Sequence, residues 1–319
     1  MSTSEPPQGT TQSIVSSHIP KVELFEARPG AKVDGRFELI KKIGEGGMGV
    51  VYLAKQINIG RDIVIKLLKP HLCSNEEQVN RFRREASLAS RLSHPNCVTI
   101  HDFGFYQGTP YIVMEYLEGA PLVEILHHRG RLPLAETINI LSQTCDALEA
   151  ARALEVVHRD LKPENVFILR EAIGSVNVKV LDFGIAKLAH THPEASDSNL
   201  TRGDMIFGTP QYMSPEQIRG KPIDHRADVY ALTVIFYEMM AGMLPYDQED
   251  SADVVSILTQ HLRDPIPMLT ASQLSPEAAP LLDEVNALLS RGMAKLTDER
   301  IASADELKER LKKLADQAK

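Results

Sequence analysis

The chain has 319 residues, 43% hydrophobic and 24% charged, with a formal net charge of −8. That supplies a core for one large or two smaller folded units and excludes a wholly disordered chain. The acidic balance argues against non-specific nucleic-acid binding, and no apolar run is long enough to span a membrane.

In chain order, residues 1–36 are expected to form a disordered N-terminal tail. Its first 20 residues hold eight Ser/Thr, three Pro and one charged residue, Glu5, too little apolar surface to offset ordering entropy. The hydroxyls are possible modification targets, but a solvated leader with no role is the simpler reading. Short β-rich runs follow at Phe37–Ile40, Val50–Ala54 and Ile63–Lys66. Ser74 and Glu77 fit a capping box, and Val79, Phe82, Ala86, Ala89 and Leu92 share one helical stripe. A further extended pair, Val98–His101 and Tyr111–Met114, completes a small sheet with one helix. Beyond Gly119, helices are expected over 121–128, 134–154, 228–241, 251–262, 277–290 and 303–316. The run Val229–Leu244 holds Glu238 and reads as a buried helix, not a membrane span. Ser303 and Glu306 form a second capping box ahead of Leu307, Leu311 and Leu314. A β-rich lobe followed by a helical lobe leaves a cleft as the natural ligand site.

Three groups of residues carry chemistry. The glycines of Gly44-Glu-Gly46-Gly-Met-Gly49 let a backbone approach phosphates closely. Dinucleotide-binding folds use the same spacing, but there the glycines open a helix. Here Val50–Leu53 follows, so a strand–loop–strand hairpin over a nucleotide triphosphate is the better reading. Lys66 ends an apolar strand and needs a partner, which Glu85 on the inward helical stripe can supply. The third group is HRDLKPEN at 158–165, followed by Asp182-Phe183-Gly184. Asp160 can orient a hydroxyl and accept its proton, Lys162 can offset γ-phosphate charge, and Asn165 and Asp182 are oxygen ligands suited to Mg²⁺. Both segments have the apolar approach of short strands, at Val157 and at Val178–Leu181.

With these residues, the chain resembles a eukaryotic-type (Hanks-type) protein Ser/Thr kinase, and is similar to that family's bacterial branch, from about Phe37 to Leu314. The resemblance extends to Gly208–Glu216, like the segment ending in A-P-E, to Asp228 at the start of a buried helix, and to Arg300 as partner of Glu216. It implies an α+β bilobal kinase fold over 37–316, with an N-lobe at 37–115 and a C-lobe at 119–316. The N-lobe is a small antiparallel sheet with one main helix. It also implies transfer of the ATP γ-phosphoryl group to Ser/Thr of protein substrates, with ATP and Mg²⁺ as cofactors. Ile43, Gly44, Gly46, Gly49, Val51, Val64, Lys66, Glu115 and Leu117 are then expected to bind the nucleotide, Met114 being the gatekeeper. Asp160, Lys162, Lys66 and Glu85 are the catalytic set, and Asn165 and Asp182 hold metal. Lys162 and Gly208-Thr209 point to Ser/Thr acceptors, with Thr209 contacting Asp160 and Lys162.

Three positions depart from the family pattern. Val64 stands where Ala is common, and its extra methyls are expected to shift nucleotide or inhibitor fit. Thr233 replaces a Gly and Ser214 replaces the Ala of A-P-E, both read as packing variants. Between Asp182 and Glu216 the chain is polar. Thr201, then Ser198, are the candidate phosphosites, with Arg159 and Lys187 as the basic pocket that would order a phosphorylated loop. Autophosphorylation there, and a transient homodimer for it, fit the family. A small-molecule phosphotransferase generally lacks the S-P-E segment, and a nucleotide-binding scaffold would not need the full set of catalytic groups. His190 with His192, and His127 with His128, lack a third metal ligand and read as solvated. His158 reads as a packing residue beside Phe183. Three cysteines, Cys73, Cys97 and Cys145, with no CxxC pair suggest packed thiols, and a cytoplasmic location is expected.

Overall fold

The computed structural model describes residues 25–47, 49–170, 176–183, 209–246 and 253–318, without the side chains of Arg81, Glu85, Leu88 and Ala89. The chain opens with an antiparallel sheet of β1 (Lys32–Val33), β2 (Phe37–Glu45), β3 (Gly49–Gln56), β4 (Arg61–Leu68), β5 (Ile100–Tyr106) and β6 (Thr109–Glu115). Its spatial order is β1-β2-β3-β4-β6-β5. Helix α1 (Glu76–Ala89) lies between β4 and β5 in sequence. Phe82 and Ala86 of α1 pack with Leu68 and Ile112 as one small core.

A second sheet, β7 (Gly119–Pro121), β8 (Val166–Leu169) and β9 (Asn177–Val180), sits at the top of the helical lobe. The helices are α2 (Leu122–Arg129), α3 (Leu134–Arg152), α4 (Pro215–Ile218), α5 (Arg226–Ala241), α6 (Val254–Arg263), α7 (Leu282–Gly292) and α8 (Ala304–Gln317). Helix α5 is buried on nearly every side, as a helix apolar all round should be. Thr233 lies against Gly292 of α7, where a Cβ would stand 2.2 Å from the threonine Oγ1. The Thr233 hydroxyl donates to the Val229 carbonyl at 2.8 Å. Thr233 is thus the packing variant expected, matched by a glycine opposite.

Several details differ from the expectations. The helix at 74–77 is capped by Asn75, whose Oδ1 accepts the Gln78 N–H at 3.1 Å. Asn75 and Ser74 are both cap-forming types, and spacing alone favoured the wrong one. Val157 is not in a strand; the second sheet takes Val166–Leu169 instead. Helix α7 begins later than expected because Ala279–Leu281 forms a 3₁₀ turn around Pro280. Half of the box at Ser303 holds: Ser303 Oγ accepts the Glu306 N–H at 3.1 Å, but Glu306 takes the N–H of Ala302 at 3.0 Å in place of that of Ser303.

The last difference concerns residues 25–36, placed in the tail from composition. They fold onto the first sheet. Strand β1 pairs with β2, and the Leu39 N–H and C=O bond to Ala31 and Gly30 at 2.9 and 2.7 Å. Phe25 is buried and meets the Tyr106 ring edge-on at 5.2 Å, and the Tyr52 hydroxyl donates to the Ala27 carbonyl at 3.0 Å. Arg36 donates to Asp102 at 2.7 Å, to Asp34 at 3.0 Å and to the Tyr111 hydroxyl at 2.8 Å. The segment closes the open edge of β2 and covers Leu39, Tyr52 and Ile65. Phe25→Ala is expected to lower stability by about 3 kcal/mol, read as a reduced urea midpoint with unchanged slope.

Candidate active site

The hairpin β2–β3 carries the three glycines. The Gly46 N–H donates to the Gly49 carbonyl at 2.9 Å. A Cβ at Gly49 would lie 2.8 Å from the Leu67 carbonyl oxygen, so only glycine fits there. A Cβ at Gly46 would meet nothing within 4 Å. Internal packing therefore does not explain Gly46, whereas a ligand lying close to the backbone does. Glu45 beside it bonds to Lys42 and, at 2.8 Å, to Lys69. Those two ammonium groups hold its carboxyl down to about 2. Of the expected adenine-side residues, Val64 is buried, Glu115 and Leu117 half-buried and Ile43 exposed. Glu115 accepts the Thr99 N–H and the Lys179 ammonium, both at 2.7 Å, so its carboxylate ties β6 to β9. A small recess is lined by Val98, Ile112, Met114, Asp182 and Phe183.

Lys66 in β4 reaches Asp182, with Nζ 3.0 Å from Oδ1. Burial raises the Asp182 carboxyl, but Lys66, with His158 and Lys162 near, outweighs it and keeps the group below the usual carboxylate range. The Glu85 side chain, the expected partner of Lys66, lies outside the described residues; its backbone is in α1, one position before buried Ala86.

The segment 158–165 is held in a shape that few sequences adopt. Arg159 has φ 65° and Asp182 φ 44°, left-handed values that cost a non-glycine residue free energy. Asp228, at the start of α5, holds the first of these. Its Oδ2 accepts the His158 N–H at 2.7 Å and its Oδ1 the Arg159 N–H at 2.9 Å. From the other side Gln217 Nε2 donates to the Arg159 carbonyl at 2.8 Å. His158 is fully buried; its Nε2 lies 2.9 Å from the Leu181 carbonyl oxygen and its ring 4.9 Å from that of Phe183. That is the packing role expected. The Asn165 amide nitrogen donates to the Asp160 carbonyl at 2.8 Å, which fixes the buried side chain beside Asp160. Lys162 Nζ donates to Thr209 Oγ1 at 2.9 Å. The sequence-identified residues Asp160, Lys162, Asn165, Asp182, Lys66 and Thr209 thus converge at the cleft.

Past Thr209 the chain makes a 3₁₀ turn over Pro210–Tyr212 and enters α4. Ser214 donates both its N–H and its hydroxyl to Gln217 Oε1 at 3.0 Å. Because Gln217 also braces Arg159, Ser214 does more than pack. Glu216 and Arg300 form a two-pronged ion pair at 2.7 and 2.9 Å, with side chains 6% and 0% exposed. Burial raises the Glu216 carboxyl, but Arg300 overrides it and leaves the group below its ordinary value near 4.5. Tyr212 donates to Glu238 of α5 at 2.7 Å.

Gly184, Lys187, His190, His192, Ser198, Thr201 and Gly208 lie outside the described residues. Burial pushes the Cys97 thiol up to about 12 and raises that of Cys145, as packed thiols require. No group of three metal-ligating side chains is found among the described residues. The His127 and His128 rings meet edge to face at 5.5 Å. The bracing roles of Gln217 and of Lys179 with Glu115 were missed. Gln217 offered one signal, its place three residues after a Ser at a helix start.

The family described as "Protein kinase domain" matches residues 37–311. The chain is 41% identical over 286 residues to serine/threonine-protein kinase Pkn1 of Myxococcus xanthus, covering 89% of this chain and 39% of that protein. It is 36% identical to serine/threonine-protein kinase PrkC of Bacillus subtilis, over 89% of this chain and 41% of that one. Tyrosine-protein kinase MasK of Myxococcus xanthus is 35% identical, over 94% and 45%. The chain spans about two fifths to one half of these relatives. The crystal structure of the PknI kinase domain of Mycobacterium tuberculosis superposes with a TM-score of 0.67 at 26% identity, covering 91% of this chain and 100% of that one.

Glu216→Gln leaves the Arg300 guanidinium buried without its counter-charge and is expected to cost about 3 kcal/mol of stability at pH 7. The Glu216 pKa is depressed in the folded state, so this contribution is present above its unfolded value and lost as pH falls through the folded one. The gap between wild type and variant in urea titrations should therefore close at acid pH.

Proposed function

Because the chain belongs to the protein kinase family, we propose that it transfers the γ-phosphoryl group of ATP to Ser or Thr hydroxyls of protein substrates. The observation that carries this reading is the Lys162–Thr209 bond at 2.9 Å, which supports a cation and an acceptor-side hydroxyl working together two residues along the chain from Asp160. Asp160 orients the acceptor hydroxyl and takes its proton. Lys66, fixed by Asp182, faces the α- and β-phosphates, and Lys162 offsets charge gathering on the γ-phosphoryl. The Gly46 backbone has room for the phosphates on its open side. The side-chain oxygen of Asn165, whose amide nitrogen is taken by the Asp160 carbonyl, and the carboxylate of Asp182 make a hard-oxygen set that fits Mg²⁺. When bound, Mg²⁺ would supply charge neutralisation on the phosphate oxygens. Autophosphorylation in trans between two copies, with Thr201 and then Ser198 as sites, fits the polar composition of that segment. No helix among the described residues is long and apolar enough to cross a membrane. A cytoplasmic setting suits an ATP-dependent enzyme with unpaired thiols.

One relative is named a tyrosine kinase, so acceptor identity is decided by experiment. Purified chain incubated with Mg²⁺ and γ-labelled ATP is expected to yield phosphoserine or phosphothreonine. Asp160→Ala should reduce the rate at least about 100-fold with little loss of stability. Phosphotyrosine alone would overturn the acceptor assignment, and equal labelling by Asp160→Ala would overturn the mechanism.

A further inference from the structure

Helix α6 carries a histidine that packing alone does not explain. His261 is fully buried in the last turn of α6. Its Nδ1 lies 2.8 Å from the Tyr230 hydroxyl of α5, and its ring stands 4.8 Å from that of Tyr246. Burial pushes the imidazole down to about 3 and the Tyr230 hydroxyl well up, so both groups are neutral at physiological pH. The side-chain oxygen Gln211 Oε1 is buried with no hydrogen bond among the described residues. The backbone of Gln211 is near enough to favour a proton on the ring. Gln211 sits in the turn Pro210–Tyr212, against which α6 packs. The imidazole is therefore held by the Tyr230 hydroxyl of α5 on one side and by the Gln211 backbone on the other. An apolar side chain at 261 would make neither bond, so the polar choice calls for a reason beyond filling space.

Tyr230 supplies the reason. Its ring lies 5.0 Å from the Arg300 guanidinium, the group that clamps Glu216. Its hydroxyl meets His261, which abuts Gln211. Both ends of the stretch 211–216 are thus referenced to one side chain of the buried helix α5. Lys295 fixes the end of α6 by donating to the His261 carbonyl at 2.9 Å and to the Tyr246 hydroxyl at 2.8 Å.

We propose that His261 is a positioning residue for the acceptor loop. Through Tyr230 it sets the segment Thr209–Met213, and with it the affinity for protein acceptors, while nucleotide binding is left untouched. This rests on the kinase reading above.

The test uses the full chain with Tyr230→Phe, His261→Phe and His261→Gln. Hydrogen exchange in peptides spanning 209–219 should quicken about tenfold in the two phenylalanine variants, and exchange in the hairpin 43–53 should not change. With dephosphorylated casein as acceptor, KM for casein should rise about tenfold at constant kcat and constant KM for ATP. The double variant should add nothing to either single one, and His261→Gln, which keeps a donor, should restore part of the loss. Unchanged exchange in 209–219, or acceptor and ATP KM values moving together, would overturn the proposal. If His261→Phe does not fold, Tyr230→Phe, which removes one oxygen, gives the same two readouts. A wild-type chain that does not label casein would sink the protein-kinase reading, and the exchange measurement would still decide the role of His261.

Discussion

The active site rests on one buried carboxylate. Asp228 accepts two successive backbone N–H groups, those of His158 and Arg159, at 2.7 and 2.9 Å. Burial pushes its carboxyl up, while the two bonds and His158 pull it back. Without that pair of acceptors, Arg159 would have no reason to remain at a φ of 65°, and the residue that follows it is Asp160. The position of Asp160, the proposed catalytic carboxylate, is therefore set by a backbone geometry that Asp228 enforces from another helix. Gln217 seizes the Arg159 carbonyl from the opposite side, so the strained residue is held at both its N–H and its C=O.

Helix α5 extends the same logic. It is almost wholly buried, yet a few of its side chains carry polar groups, and three serve the cleft-side loops. Asp228 holds the catalytic loop, Tyr230 meets Arg300 and His261, and Glu238 receives the Tyr212 hydroxyl. Thr233 returns its hydroxyl to the helix itself and fills the gap above Gly292. A polar group buried in an apolar helix must be satisfied, and here satisfaction and positioning are the same bond. On the proposed reading, the acceptor side is ordered by residues that never approach a phosphate.

Much of the site was legible because its chemistry demands fixed residue types at fixed spacing. The stretch 158–165, Asp182 and the glycines announced themselves, and the fold followed from the periodicity around them. What stayed hidden depends on contacts distant in sequence. Gln217 and Lys179 look like surface residues until the chain folds, since nothing local marks a glutamine that will meet a carbonyl 58 positions away. Residues 25–36 were hidden for a different reason. Their composition is poor in apolar residues, and only Phe25 and Val33 do the burying. Backbone pairing with β2 and the Arg36 cluster supply the rest, and neither has a compositional signature. Ser214 was identified by position, but the partner that gives it meaning, Gln217, was not.

The two prominent ion pairs of the site differ in kind, and the difference assigns their work. Lys66 and Asp182 are 12% and 48% exposed, while Arg300 and Glu216 are 0% and 6% exposed. A partly solvated pair contributes little to folding and can exchange partners when phosphate and metal arrive. A buried bidentate pair cannot open without stranding a charge, so it defines a fixed point. On the proposed function, the nucleotide side of the cleft thus holds an ion pair that a ligand can rearrange, and the acceptor side one that it cannot. Phosphoryl transfer would need both, because the phosphates must enter and leave while the hydroxyl and Asp160 keep their alignment.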